Sequence, residues 1–91
     1  MVSQTFVIKN NAGLHLKPAA RLCTEANKYK STVLLSSKET TTNAKSVLNV
    51  LGACVKCNVS ITLTCEGEDE KEALESLAKL IADGLGEGPD L

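Results

Sequence analysis

Aromatic side chains are nearly missing from this chain: Phe6 and Tyr29 make up 2% of its 91 residues, and there is no tryptophan. A core must therefore be built from Val, Leu, Ile and Ala. The aromatic platforms on which single-stranded nucleic acid stacks are lacking too. Charge of one sign is also lacking: 10 basic and 11 acidic residues leave a net charge of -1. DNA or RNA partners call for a basic excess, so none is expected. No run of about 18 apolar residues occurs, which excludes a helical membrane span. The opening MVSQTFVIKNN has no long apolar stretch of the kind that directs secretion, so a cytoplasmic location is expected.

The length suits one compact domain spanning residues 1–91, with 85–91 expected as a flexible tail. Nothing in the pattern signals oligomerisation, so a monomer is expected. Four cysteines are present, Cys23, Cys54, Cys57 and Cys65. Without an export signal, free thiols are expected. Cys23 and Cys65 fall at apolar positions of regular patterns, where Cys acts as a small hydrophobe. Cys54 and Cys57 form a C-x-x-C, the spacing of half a zinc site or of a redox pair. Zinc would need two further ligands. Packing thiols are the expectation, and no metal ligand set is assigned.

Residues 2–9 put Val2, Phe6 and Ile8 on one parity and predict a half-buried strand. Asn10, Asn11, Ala12 and Gly13 are turn residues. Over 16–28, Leu16, Ala19, Ala20, Cys23 and Ala26 recur at helical spacing. Pro18 fits only the first turn, so this helix starts within a residue or two of His15 to Lys17. Strands are predicted over 31–37, with Val33 and Leu35 on one face, and over 40–43. Ser46 is a natural N-cap for a short helix over roughly 47–52. Residues 60–65 alternate, with Ile61, Leu63 and Cys65 inward. A last helix over 69–83 carries the stripe Ala73, Leu74, Leu77, Leu80 and Ile81. Gly84 ends it. The order β-α-β-β-α-β-α predicts an α+β fold with one antiparallel sheet and helices on a single face.

The only histidine stands at a helix entry, in Gly13-Leu14-His15-Leu16-Lys17-Pro18-Ala19-Ala20. Unpaired backbone N–H groups and a partial positive charge at a helix start favour an anion. Imidazole is a nucleophile near neutral pH. Lys17 adds a full positive charge. Local chemistry thus permits a phosphohistidine site without demanding one, since a lone histidine at a helix start is more often an exposed cap.

The octet resembles the active-site signature of the histidine-containing phosphocarrier protein (HPr) family, G-[LIM]-H-x-R-P-A. Asn43-Ala44-Lys45-Ser46-Val47-Leu48 is similar to the family's regulatory serine segment, at matching spacing. The similarity continues through the strand ending in Ile61-Thr62-Leu63 and the acidic last helix. The resemblance implies an open-faced β-sandwich of four antiparallel strands with three helices on one face. It implies a carrier rather than a conventional enzyme, without metal or organic cofactor. His15 would accept a phosphoryl group at Nδ1 from phosphorylated enzyme I and pass it to IIA domains of sugar permeases. Lys17 would stabilise that group, standing where the family has arginine. Leu16, Val47, Leu48 and Leu51 would lie around the partner-docking surface. Ser46 would be a regulatory phosphorylation site, with an HPr kinase/phosphorylase and a catabolite-control transcription regulator as further partners. The alternative is a regulatory module of the same fold in carbon catabolite control. Regulatory relatives have often lost the histidine, so His15 favours the carrier.

Three departures from the family pattern stand out. Lysine is a point charge on a flexible stem, whereas arginine offers a planar fork. Glu39 occupies a turn where the family often has glycine. Residues 53–59 replace a glycine-rich loop expected near the histidine. There Asn58 takes a left-handed conformation more readily than Cys54 or Lys56.

Overall fold

The computed structural model describes residues 1–38 and 40–86. Seven elements follow in chain order: β1 (Val2–Val7), α1 (Leu16–Ala26), β2 (Thr32–Ser37), β3 (Thr40–Asn43), α2 (Val47–Gly52), β4 (Ser60–Glu66) and α3 (Glu70–Ala82). The strands form one antiparallel sheet in the order β1-β4-β2-β3. The three helices cover one face, as an open-faced α+β sandwich.

Alternation decides what each strand buries. Val33, Leu35, Ile61, Leu63 and Cys65 point into the core with Ile8 and Leu22. The register Val33↔Cys65 and Leu35↔Leu63 stacks them in pairs. The other face carries hydroxyls. Thr5, Thr62, Ser36 and Thr41 form one row across all four strands. Their side chains meet at 2.9 Å (Thr5 to Thr62) and 3.1 Å (Ser36 to Thr41). This wet face suits an antiparallel sheet covered on one side only.

Helix α1 buries Pro18, Ala19, Leu22, Cys23 and Ala26. Two residues of the expected stripe depart from it. Leu16 is 64% exposed and Ala20 is only half-buried, while Leu22 is fully buried. Ala20 lies about 100° round the helix from Ala19 and so sits at the margin of the stripe. The helix ends at Ala26, short of residue 28: beyond it the Lys28 N–H donates to Glu25 O at 3.1 Å and the Tyr29 N–H to Ala26 O at 3.3 Å, and the Asn27 side-chain amide donates to the carbonyl of Cys23 at 2.8 Å.

Helix α3 ends in a Schellman turn. Gly84, at φ +84°, donates to Ile81 O at 3.1 Å, and Leu85 donates to Leu80 O at 2.9 Å. Leu85 is fully buried, and the Asn10 amide donates to Gly84 O at 3.0 Å. The expectation of a tail starting at residue 85 is thus corrected, since burial of Leu85 ties this turn to the core. Residues 87–91 lie outside the described residues, as does Glu39, which stands where the family often has glycine. Among the described residues no helix is long and apolar enough to cross a membrane.

Candidate functional site

The approach to His15 is set by backbone contacts. Gly13 has φ +68° and its N–H donates to Asn10 O at 2.8 Å. A Cβ here would meet Val55 O at 2.1 Å and Lys56 Cα at 2.6 Å, so only glycine fits. Leu14 is buried, and its N–H donates to Val55 O at 2.9 Å. The chain is therefore held at Gly13 and at Leu14, just before the histidine.

His15 is the N-cap residue of α1, with extended backbone (φ -79°, ψ -170°). Its carbonyl accepts the Ala19 N–H at 3.0 Å, while its side chain makes no capping hydrogen bond. The half-buried imidazole lines a shallow depression with Leu16, Lys17, Ala20, Arg21 and Thr24. Helix α1 has no acidic residue in its first turn. The helix start, Lys17 and Arg21 thus give positive charge to the depression that the imidazole lines. Such a site can receive an anion and hold it beside a ring nitrogen.

Of the residues singled out from the sequence, His15, Leu16 and Lys17 line this depression together. Arg21 and Thr24 were not anticipated. The signal was available, since they follow Lys17 at i+4 and i+7 and so continue its helix face.

Ser46, Val47, Leu48 and Leu51 belong to α2 and do not line this depression. Ser46 is the N-cap of α2, its hydroxyl accepting the Asn49 N–H at 3.3 Å. Lys45 straps this start to the far end of α1: its carbonyl accepts from the Asn27 amide at 3.0 Å, and its ammonium donates to Tyr29 O at 2.7 Å. Leu48 is 82% exposed, whereas Val47 and Leu51 are half-buried against the core.

The loop over 53–59 runs beneath Gly13 and Leu14. Asn58 is left-handed at φ +69°, as expected of asparagine. Cys54 is left-handed as well, at φ +52°, just after the Ala53 C-cap of α2, where glycine would be unstrained. Lys56 is not in that region. All four cysteines are free thiols; Cys54 is exposed, and Cys57 is half-buried with its thiol 3.7 Å from Lys9 O. Burial pushes the Cys23 and Cys65 thiols up. Among the described residues no three His, Cys, Asp or Glu side chains cluster as metal ligands.

Comparison with known proteins agrees with this architecture. The family model described as "PTS HPr component phosphorylation site" matches residues 2–83. The chain is 36% identical to phosphocarrier protein HPr of Lysinibacillus sphaericus, over 91% of this chain and 94% of that one. It is 38% identical to the HPr-like protein Crh of Bacillus subtilis, over 89% of this chain and 95% of that one. It is also 42% identical to the multiphosphoryl transfer protein of Vibrio cholerae over 92% of its length, but spans only 22% of that protein. The crystal structure of HPr-C-His from Thermoanaerobacter tengcongensis superposes with a TM-score of 0.93 at 35% identity, covering 98% of this chain and 100% of that one. A match along nearly the whole chain, in sequence and in fold, places it in a family: the chain belongs to the HPr family of the phosphotransferase system.

Proposed function

We propose that this chain is a phosphoryl carrier, accepting a phosphoryl group on His15 from phosphorylated enzyme I and passing it to IIA domains of sugar permeases. One observation carries the reading. A histidine on a backbone anchored through Gly13 and Leu14 shares its depression with Lys17 and Arg21, and among the described residues no acidic side chain lines it.

Transfer is an in-line displacement. The ring nitrogen's lone pair forms the N–P bond as the donor's bond to phosphorus breaks. Catalysis of such a step is mainly positioning and electrostatic stabilisation. Lys17 supplies a positive charge to the phosphoryl oxygens. The partner proteins complete the machinery, so the chain is a carrier rather than a conventional enzyme. Leu16 and Leu48, both strongly exposed, form the apolar docking surface with Val47 and Leu51. Phosphorylation of Ser46 adds charge beside that surface and weakens enzyme I docking. It also provides a new contact for a catabolite-control regulator.

The test is incubation with enzyme I, phosphoenolpyruvate and magnesium, read by intact mass. One acid-labile, alkali-stable phosphate is expected, absent from His15→Ala. No phosphate with enzyme I of the same organism would sink the carrier reading.

The similarity to Crh supports a second reading, a regulatory module acting through phosphorylated Ser46. Modification of Ser46 by an HPr kinase/phosphorylase, with none at His15, selects it. An unmodified protein, or equal modification of Ser46→Ala, excludes it.

A further inference from the structure

Lys17 and Arg21 stand one helical turn apart on α1 and border the same depression. Like charges at this spacing destabilise a helix. A cation in the first turn also opposes the helix dipole. The nearest candidate to offset them on α1, Glu25, is committed elsewhere. Its carboxylate accepts from the Ser76 hydroxyl and pairs with the Lys28 ammonium at 2.9 Å. These contacts are the main causes holding its carboxyl below the usual range, with Arg21 the smallest contributor.

The position of the Arg21 side chain is defined. A Cβ at Gly86, which has φ +83°, would stand 3.0 Å from Arg21 Nε, 3.4 Å from Cγ and 3.5 Å from Cδ. The stem therefore runs beside this glycine, and the bare backbone there leaves it room. Buried Leu85 fixes the turn that carries Gly86. The arginine is thus located by the end of α3 as well as by α1.

Building on the reading of His15 as phosphoryl acceptor, we propose that Arg21 is a second phosphoryl-binding residue, whose guanidinium donates to the oxygens of the group carried on His15. A phosphoryl group brings close to two negative charges at pH 7 and three acceptor oxygens, by analogy with other phosphorylated side chains. Lys17 answers with a point charge. The planar fork of Arg21 answers with two parallel donors. Two cations that repel each other in the empty carrier are both satisfied in the loaded one. Arg21 thus stabilises the phosphorylated state specifically, and it sets how tightly the group is held before release.

The test loads His15 without a partner protein, using phosphoramidate. The ring nitrogen forms the N–P bond, the donor P–N bond breaks, and the ring proton leaves with ammonia. Phosphorus NMR then follows the second ionisation of the bound phosphoryl group with pH, while nitrogen–proton NMR follows the Arg21 Nε–H. The Nε–H signal is expected to move on loading. Arg21→Gln is expected to raise the second ionisation by about half a pH unit, and Arg21→Lys by less. Arg21 is exposed, so both variants retain the fold, which melting curves check. Superimposable titrations of parent and Arg21→Gln, each loaded on His15, would overturn the role of Arg21 while leaving the carrier reading intact. A parent protein that takes no phosphoryl group on His15 from phosphoramidate or from enzyme I would remove both.

Discussion

The N–H of Leu14 donates to the carbonyl of Val55 at 2.9 Å, across a separation of 41 positions in the chain. This bond ties the start of α1 to the loop after α2, directly before His15. With Gly13 packed on the same carbonyl, it determines where the histidine stands. The loop is thereby part of the site without contributing a reactive group.

Gly13→Ala is expected to destabilise the protein by at least about 2 kcal/mol, because the left-handed backbone and a contact with Val55 O both oppose a methyl group. Loading of His15 is expected to fall with it. Gly52→Ala is the contrasting case. Nothing lies within 4 Å of a Cβ there, and the residue is helical, so a gain of about 0.5–1 kcal/mol is expected. Urea unfolding measures both. A tolerated Gly13→Ala would show that the loop yields easily.

Cys54→Gly is expected to stabilise the fold by up to about 1 kcal/mol. The residue holds φ +52° as an exposed L side chain after the C-cap of α2, where glycine is free of that strain. Glycine's larger unfolded entropy limits the gain. A lower melting temperature would mean that the Cys54 side chain contributes contacts worth more than the strain.

Asp69 gives the fold an acid-sensitive anchor. Its carboxylate accepts from the Ser31 hydroxyl, and from the N–H groups of Lys30 at 2.8 Å and Ser31 at 2.9 Å. The Ser31 hydroxyl foremost, then the Lys30 N–H, hold its carboxyl down at about 2. A depressed folded value means stability that is fully present above the unfolded value near 3.9 and lost as pH falls towards about 2. Asp69→Asn is therefore expected to flatten the dependence of melting temperature on pH between about 5 and 2. An unchanged slope would assign the acid sensitivity to other carboxylates.

Leu48→Asp separates docking from folding. At 82% exposure the side chain contributes little to the core, so stability is expected to stay within about 0.5 kcal/mol. Binding to enzyme I is expected to weaken at least tenfold, read by titration calorimetry, as a charge replaces an apolar contact. Full affinity in a folded Leu48→Asp protein would move the docking surface away from α2.

Much of the architecture was legible locally. Alternation of Ile61, Leu63 and Cys65 defined β4, and the stripe on Ala73 and Leu77 defined α3, since both periods follow from backbone geometry within a few residues. Pro18 and Ser46 marked two helix starts for equally local reasons. The errors arose where distant packing intervened. Ala20 shares the spacing of the buried α1 residues yet is only half-buried, and Leu85 looks like tail yet is buried. Arg21 and Thr24 share the face of Lys17, and that spacing could have drawn them into the site.

The seven elements, the single histidine at a helix entry and the serine that caps α2 are written locally in the chain, because each depends on short-range periodicity or capping chemistry. Tertiary structure alone decided that β4 inserts between β1 and β2, that the Val55 carbonyl supports the approach to His15, and that Gly86 runs beside Arg21. Those contacts join residues tens of positions apart. They follow from how one buried face closes on another, and no local pattern encodes that closure.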